Sequence, residues 1–188
     1  MNMKRLFDIT LACFLLPLLI LPMLYLAILV KRSSPGPALY WSARIGQNNQ
    51  IFLMPKYRTM FVETPEVATH LLKDTMSHIT PLGSWLRRTS VDELPQLYSI
   101  IVGHMSFVGP RPALFNQYDL KKIRTEKGID KLKPGLTGLA QVNGRDESSL
   151  EEKVHYDADY LRRRNLLFDI QILWKTAVKV LRRDDITH

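Results

Sequence analysis

Two adjacent carboxylates, Asp92 and Glu93, sit in the stretch SVDELPQL, just after the basic pair Arg87 and Arg88, in a chain of net charge +8. Two readings fit this pattern. In the first, the acids open a helix: with Ser90 at the N-cap, Glu93 falls at N3 of a capping box. With Asp92 as the cap instead, Pro95 falls at N3, where its missing N–H costs nothing. In the second, the acids do chemistry. A carboxylate at a helix N-terminus close to Arg87 and Arg88 has its ionised form favoured by the dipole and by opposite charge. That suits a nucleophile or a Mg2+ ligand, each of which must be deprotonated. Neighbouring acids on a helix do not share a face, so Asp92 and Glu93 have different tasks. Taken alone, the eight residues favour the cap, because such signatures are common at helix starts.

Four cations add a second signal. Lys56 and Arg58 in PKYRTM, Arg111 in GPRP and Arg145 in NGR fall in loops or at strand ends, where functional side chains concentrate. Arg forks match phosphate oxygens bidentately. Singly, each cation reads as a solvated surface charge; together, in segments stiffened by Gly and Pro, they fit a diphosphate pocket. There is no P-loop and no GxGxxG, so a nucleotide would be bound by other means. The histidines at 70, 78, 104, 155 and 188 lack metal-site spacing, and the single Cys13 excludes an internal disulfide and a Cys-rich zinc site. The excess of 26 Lys and Arg over 18 Asp and Glu favours a polyanionic partner: nucleic acid, anionic lipid or a phosphorylated ligand.

The elements that must position these groups follow from the pattern of apolar residues. A chain of 188 residues with 46% hydrophobic content holds one domain and an appended segment. The residues from Ile9 to Val30 carry no charge. As a helix at ~1.5 Å per residue this run measures about 33 Å, enough to cross a hydrocarbon core. Pro17 and Pro22 interrupt it, and each removes a hydrogen bond and bends the helix. Lys4 and Arg5 flank one end, Lys31 and Arg32 the other, which favours keeping both ends in the cytoplasm. A re-entrant segment that dips into one leaflet satisfies both observations better than a spanning helix. A cleaved signal peptide fits poorly, because no A-x-A-like site follows the apolar run. Asp8 would find its partner in Arg5, one turn away.

Beyond Pro37, ALYWSARIG and QIFLMPKYRTM predict a hairpin split by the polar QNNQ turn. A short helix is expected around Val67 to Met76, another over PLGSWLRR, and a third over SVDELPQLYSIIVG, closed by Gly103. The last 40 residues are helical in pattern: Ile170, Leu173, Trp174, Ala177, Val178 and Leu181 form one stripe, with Lys175, Lys179, Arg182 and Arg183 off it. Such a helix either packs on the core or lies at an anionic membrane surface.

In chain order, LFDI, SPGP, KYRTM, LRRTSVDELPQL, MSFVGPRP, PGLTGLAQVNGR and LLFDIQILWKT cover almost the whole sequence. This set resembles the bacterial sugar transferase family, the monotopic phosphoglycosyl transferases. The resemblance implies an α+β, mainly helical chain at the bacterial inner membrane. Residues 1–34 would form an N-terminal re-entrant membrane helix. Residues 35–188 would form a small cytoplasmic phosphoglycosyl transferase domain with short strands and interfacial amphipathic helices.

The resemblance also implies transfer of a phosphosugar from a UDP-sugar to polyprenyl (undecaprenyl) phosphate, giving polyprenyl diphosphate sugar and UMP. It implies Mg2+ as cofactor and a covalent intermediate on Asp92, which would be both nucleophile and metal ligand. Glu93 would assist the second step by accepting the proton of the lipid phosphate. Arg88, Arg111 and Arg145 match family basic positions and would contact phosphate or nucleotide, with Lys56 and Arg58 in the same pocket. The partners are then UDP-sugar, polyprenyl phosphate, inner-membrane lipids and a second copy in a homodimer, with no nucleic acid. The alternatives are a non-enzymatic basic membrane adaptor and a lipid diphosphate phosphatase. Two departures from the family pattern stand out. Leu21 precedes Pro22 where the family often has Ser, and Pro17 adds a second break. His104 stands in GHMS where the family usually has an acid; if that acid orders the active-site loop, His104 orders it differently or with a pH dependence.

Overall fold

The computed structural model describes residues 3–65, 75–144 and 149–182. It is mostly helical, with short strands and one long apolar helix at the N-terminal end. That helix, α1 (Met3–Ser33), runs unbroken through Pro17 and Pro22. By length and composition it is able to cross a membrane. Although apolar on all sides, it is used on one. Asp8, Ala12, Leu15, Leu19, Met23, Leu26 and Val30 recur every three or four residues and pack on the rest of the chain. Phe14, Leu18, Leu21, Tyr25 and Ile28 lie exposed on the other face.

The polar groups at the start of α1 dock differently from the predicted Arg5–Asp8 pair. Asp8 is buried, accepting hydrogen bonds from Ser106 Oγ at 3.0 Å and from the Phe107 N–H at 3.2 Å. Arg5 instead donates to the carbonyls of Ile100 and Ile101 at 2.5 and 2.8 Å. Those carbonyls lie in the last turn of a helix, where a guanidinium is well placed, and that of Ile100 also accepts from the Gly103 N–H at 3.1 Å. Lys4 pairs with Asp169 at 2.6 Å.

The predicted hairpin forms as β1 (Leu39–Ile45) and β2 (Ile51–Tyr57), antiparallel with Tyr40 opposite Lys56 and Arg44 opposite Phe52. Its turn needs a left-handed backbone at Asn48 and Asn49 (φ 54° and 60°), which asparagine tolerates better than most residues. The order is β2-β1-β4, with β4 (Ala113–Leu114) on the far side of β1. Pro55 is accommodated because β2 is an edge strand. A second, parallel pair joins β3 (Ser106–Val108) to β5 (Gly135–Thr137). Here a Cβ on Gly135 would fall 2.1 Å from the Gly109 nitrogen, so the close approach of the two strands requires glycine.

Around the strands lie α2 (Thr75–His78), α3 (Pro81–Arg88), α4 (Leu97–Val102), α5 (Tyr118–Glu126), α6 (Leu139–Asn143), α7 (Leu150–Arg163) and α8 (Leu166–Arg182). The helix expected around Val67 to Met76 falls largely outside the described residues. α4 ends as predicted at Gly103, in a left-handed conformation at φ 95°. His104 is exposed, its ring 5.6 Å from that of Phe52 and tilted against it.

Of the two sequence readings of the final helix, packing of its whole apolar stripe on the core is not the one seen. α8 packs through Phe168, Asp169 and Ile172, with Thr176 bonded to Thr137 at 2.7 Å. The stripe of Ile170, Trp174 and Leu181 faces out, Trp174 being 71% exposed and Leu181 83%. The reason is polar anchoring. Asp169 is held by Lys4 and by the Tyr160 hydroxyl at 2.7 Å, which fixes the helix rotation against its apolar stripe.

Candidate active site

Between α3 and α4 the chain makes a 3-10 helix, Val91–Gln96, rather than the start of an α-helix. The capping box does not form. Ser90 is left-handed at φ 55° and its side chain caps nothing, while the Glu93 carboxylate reaches away to other partners. The cap that does form lies earlier: Thr80 Oγ1 accepts from the Gly83 N–H at 3.0 Å and opens α3, with Pro81 at the first position.

Glu93 is the centre of an ion cluster. Its Oε1 accepts from Lys56 Nζ at 2.8 Å and lies 3.3 Å from an Arg111 nitrogen. β2 supplies Lys56, and the loop from β3 to β4 supplies Arg111. That loop is held by two arginines: Arg124 Nη1 donates to the Arg111 carbonyl at 2.9 Å and Arg44 Nη1 to the Pro112 carbonyl at 3.2 Å. Arg124 is itself fixed by the buried Asp157 at 2.7 Å. Burial alone pushes the Glu93 carboxyl up, but Lys56, Arg111 and Arg44 together pull it down to about 2. It is charged at neutral and mildly acidic pH.

Asp92 has the opposite environment. It is 7% exposed and accepts no hydrogen bond among the described residues. Burial raises its pKa; Lys56 lowers it, Glu93 raises it, and Arg87 and Arg111 lower it again. The expected ionisation of Asp92 by a helix dipole and both arginines is therefore corrected. There is no α-helix start here, and burial outweighs the cations. Of the basic pair, Arg87 is the one that faces Asp92, its Nε bonded to Thr59 Oγ1 at 2.9 Å. Arg88 is exposed and bonds nothing among the described residues.

Arg58, grouped by sequence with the phosphate pocket, is committed elsewhere. It is buried and donates to the carbonyls of Ser34, Pro35 and Pro37 at 2.7–2.8 Å, clamping the turn that follows α1. Arg145 lies outside the described residues. Two groups that sequence reasoning missed are present. Arg44 and Gln96 line the same small cleft as Lys56, Glu93, Arg111 and Gly135. Burial first, and then nearby Arg111, lower the Arg44 guanidinium to about 10. The alternation of β1 was the available signal for Arg44, since it shares a face with Tyr40 and Ser42.

Among the described residues, no group of three or more His, Cys, Asp or Glu side chains is gathered. A cation bound by a full protein cage is thus not offered. A Mg2+ ion held by one or two carboxylates and completed by substrate phosphates does fit, because Asp92 is buried with its oxygens unclaimed.

The profile of the family described as "Bacterial sugar transferase" matches residues 1–183. The chain is 37% identical over 200 residues to an undecaprenyl-phosphate galactose phosphotransferase of Salmonella typhimurium, covering 97% of this chain and 41% of that protein. It is 42% identical over 167 residues to a UDP-glucose:undecaprenyl-phosphate glucose-1-phosphate transferase of Xanthomonas campestris, covering 85% and 34%. To the exopolysaccharide production protein ExoY of Sinorhizobium fredii it is 37% identical over 194 residues, covering 94% and 84%. The chain spans about two fifths of the length of the Salmonella protein. With a profile match that runs through the ion cluster and both flanking helices, the chain belongs to the bacterial sugar transferase family.

Proposed function

We propose that this chain transfers a phosphosugar from a UDP-sugar to polyprenyl phosphate, through a covalent intermediate on Asp92. The observation that carries the reading is the split environment of the two acids: one buried and unbonded, the other locked in an ion cluster. Paired carboxylates whose surroundings push their pKa values apart have separate roles. The names of the relatives, which specify undecaprenyl phosphate as acceptor and in one case UDP-glucose as donor, support the substrate classes.

In the first step an Asp92 oxygen attacks the sugar-linked phosphorus, the bond to the UMP oxygen breaks, and UMP leaves. In the second, an oxygen of polyprenyl phosphate attacks the same phosphorus, the bond to Asp92 breaks, and the carboxylate is regenerated with polyprenyl diphosphate sugar as product. Dividing the reaction lets two anionic substrates react in turn. A carboxyl held at about 2 is a weak proton acceptor, so the task of Glu93 is to fix Lys56 and Arg111 against the phosphates. Arg88 stands exposed at the end of α3, and with Arg111 it contributes to phosphate or nucleotide binding. Mg2+, held by Asp92, would neutralise charge on the transferring group.

The same reading makes residues 1–34 a monotopic anchor and 35–188 the catalytic unit, on the cytoplasmic face of the inner membrane. Its support is that both ends of α1 dock on the same body, through Lys4, Arg5 and Asp8 at one end and Leu26 and Val30 at the other. A spanning disposition would tear one of these contacts across the bilayer. The outward stripe of α8 supports an interfacial helix beside it.

The test is UMP release in a membrane assay with a panel of UDP-sugars, polyprenyl phosphate and Mg2+. Asp92→Asn should abolish turnover and the trapped phosphosugar adduct; near-normal release by that variant overturns the nucleophile. Sugar phosphate released without any need for polyprenyl phosphate would indicate a hydrolase instead.

A further inference from the structure

The one buried amide in the cleft has no function in the account so far. Gln96 is 2% exposed, and its Nε2 has no hydrogen-bond partner among the described residues. A buried N–H left unpaired is destabilising, so a side chain that tolerates this is waiting for an acceptor or is a defect. Its place in the fold argues for the former. The 3-10 helix Val91–Gln96 has about three residues per turn, so side chains at i and i+3 eclipse. Gln96 therefore stands directly beneath Glu93, and both line the cleft with Arg44, Lys56 and Arg111.

The charge of the cleft names the missing acceptor. Three cations, Arg44, Lys56 and Arg111, surround one carboxylate, Glu93, whose Oε1 is already taken. The surplus positive charge and the unclaimed N–H call for the same thing, an anionic oxygen. Arg44 is prepared for it: Nε is spent on Ser42 Oγ at 2.9 Å and Nη1 on the Pro112 carbonyl, which orients the guanidinium toward the cleft wall. Gly135 lines the opposite side, where a side chain would strike the Gly109 backbone.

We infer that Gln96 is a substrate-contacting residue, donating its Nε2–H to a non-bridging phosphoryl oxygen of a diphosphate seated between Arg44 and the Lys56–Glu93 pair. This rests on the proposed transferase reading and deepens it, giving the diphosphate a neutral donor alongside its cations. A neutral donor adds geometry without adding charge, fixing the oxygens while the neighbouring cations supply the charge.

Two measurements on the full chain in nanodiscs test it: binding of inorganic pyrophosphate, and kcat/KM for UMP release, each with thermal stability. Gln96→Met keeps the shape and removes the donor. It should leave the melting temperature level or higher, because an unsatisfied amide disappears, yet weaken pyrophosphate binding and lower kcat/KM by about 10- to 100-fold, the size of a hydrogen bond to a charged group. A purely structural glutamine would show neither loss. Should Gln96→Met fail to fold, Gln96→Glu, of nearly the same shape, must bind pyrophosphate at least as weakly, since it sets a like charge against the ligand. Binding and kcat/KM within about twofold of wild type in the folded variant overturn the inference, as does a wild-type protein that does not bind pyrophosphate. If the wild type binds pyrophosphate and the variant does not, while neither releases UMP from any donor, the subsite stands and the transferase reading falls.

Discussion

Asp92 and Glu93 are neighbours in the chain and opposites in their surroundings, and this has consequences for stability as well as chemistry. The raised pKa of Asp92 means that its ionised form costs the folded state something at neutral pH. Asp92→Asn removes that cost. The variant should melt a few degrees higher at pH 7, at roughly 2–4 °C per kcal/mol for a chain of this size, with the gain fading as the pH falls through the raised folded pKa toward 3.8 and absent below it, where Asp92 is protonated in either state. Differential scanning fluorimetry across pH checks this, and a variant less stable at pH 7 contradicts the assigned environment. For Glu93 the sign reverses. A folded pKa of about 2 against an ordinary 4.5 contributes stability that is complete above 4.5 and lost as the pH falls toward 2. Lys56→Met takes away the main cation, so its acid unfolding should begin at higher pH, with a loss on the order of 2–3 kcal/mol at neutral pH. The adjacency of the two acids and their separate tasks were legible in the sequence, but their opposite environments were not, since burial and cross-strand partners are tertiary facts. Arg44 and Gln96 escaped notice for the same reason: one depends on hairpin register, the other on its burial against the cleft. Arg58 misled because a loop arginine bonded to three carbonyls reads, in one dimension, like any phosphate ligand.

Elements place these residues through a few close backbone approaches. α3 begins against the strand end that carries Thr59, and a Cβ on Gly83 would sit 2.0 Å from the Thr59 carbonyl oxygen. Backbone cannot yield as a side-chain tip can, so Gly83→Ala should cost about 1–3 kcal/mol and displace α3. Thr59 Oγ1 holds Arg87, the arginine that faces Asp92, and the variant should therefore lose activity beyond its loss of stability. A denaturation midpoint and UMP release measured at a permissive temperature separate the two; wild-type values for both would show that the approach is relaxed in solution. At this scale the sequence was a good guide to local structure. The hairpin, the PLGSWLRR helix, the Gly103 stop and the two C-terminal helices all carry turn chemistry or periodicity strong enough to read. The rotation of α8 was not readable. An apolar stripe fits either a core face or a membrane face, and it is Asp169, buried and bound to Lys4 and Tyr160, that turns Trp174 and Leu181 outward. A buried charge with two partners outweighed apolar periodicity, and its partner Lys4 lies at the other end of the chain.

At the scale of the whole molecule, the long apolar helix packs along the rest of the chain. α1 lays a stripe from Asp8 to Val30 along the body and leaves Phe14, Leu18, Leu21 and Tyr25 outside, while α8 exposes Leu167, Ile170, Trp174 and Leu181. Under the proposed transferase reading, a lipid acceptor and a soluble donor would meet at one carboxylate near the headgroup level, and α1 packed along the body would hold the site at that depth. A helix crossing the bilayer would put Met3 and Ser33 on opposite sides, about 30 Å or more apart along the membrane normal. The two dispositions are separable because the chain has a single cysteine, Cys13, within the apolar run. In a Cys13→Ser background, Met3→Cys and Ser33→Cys should both be labelled by a membrane-impermeant maleimide only after the inner membrane is opened. Labelling of one of them in intact spheroplasts would make α1 a spanning helix. In that case Lys4–Asp169 and Asp8–Ser106, at one end, could not coexist with the Leu26 and Val30 packing at the other. Breaking the first set would strand a buried carboxylate on each side of the break, Asp169 and Asp8, and that cost is the physical reason to expect both ends of α1 on one face.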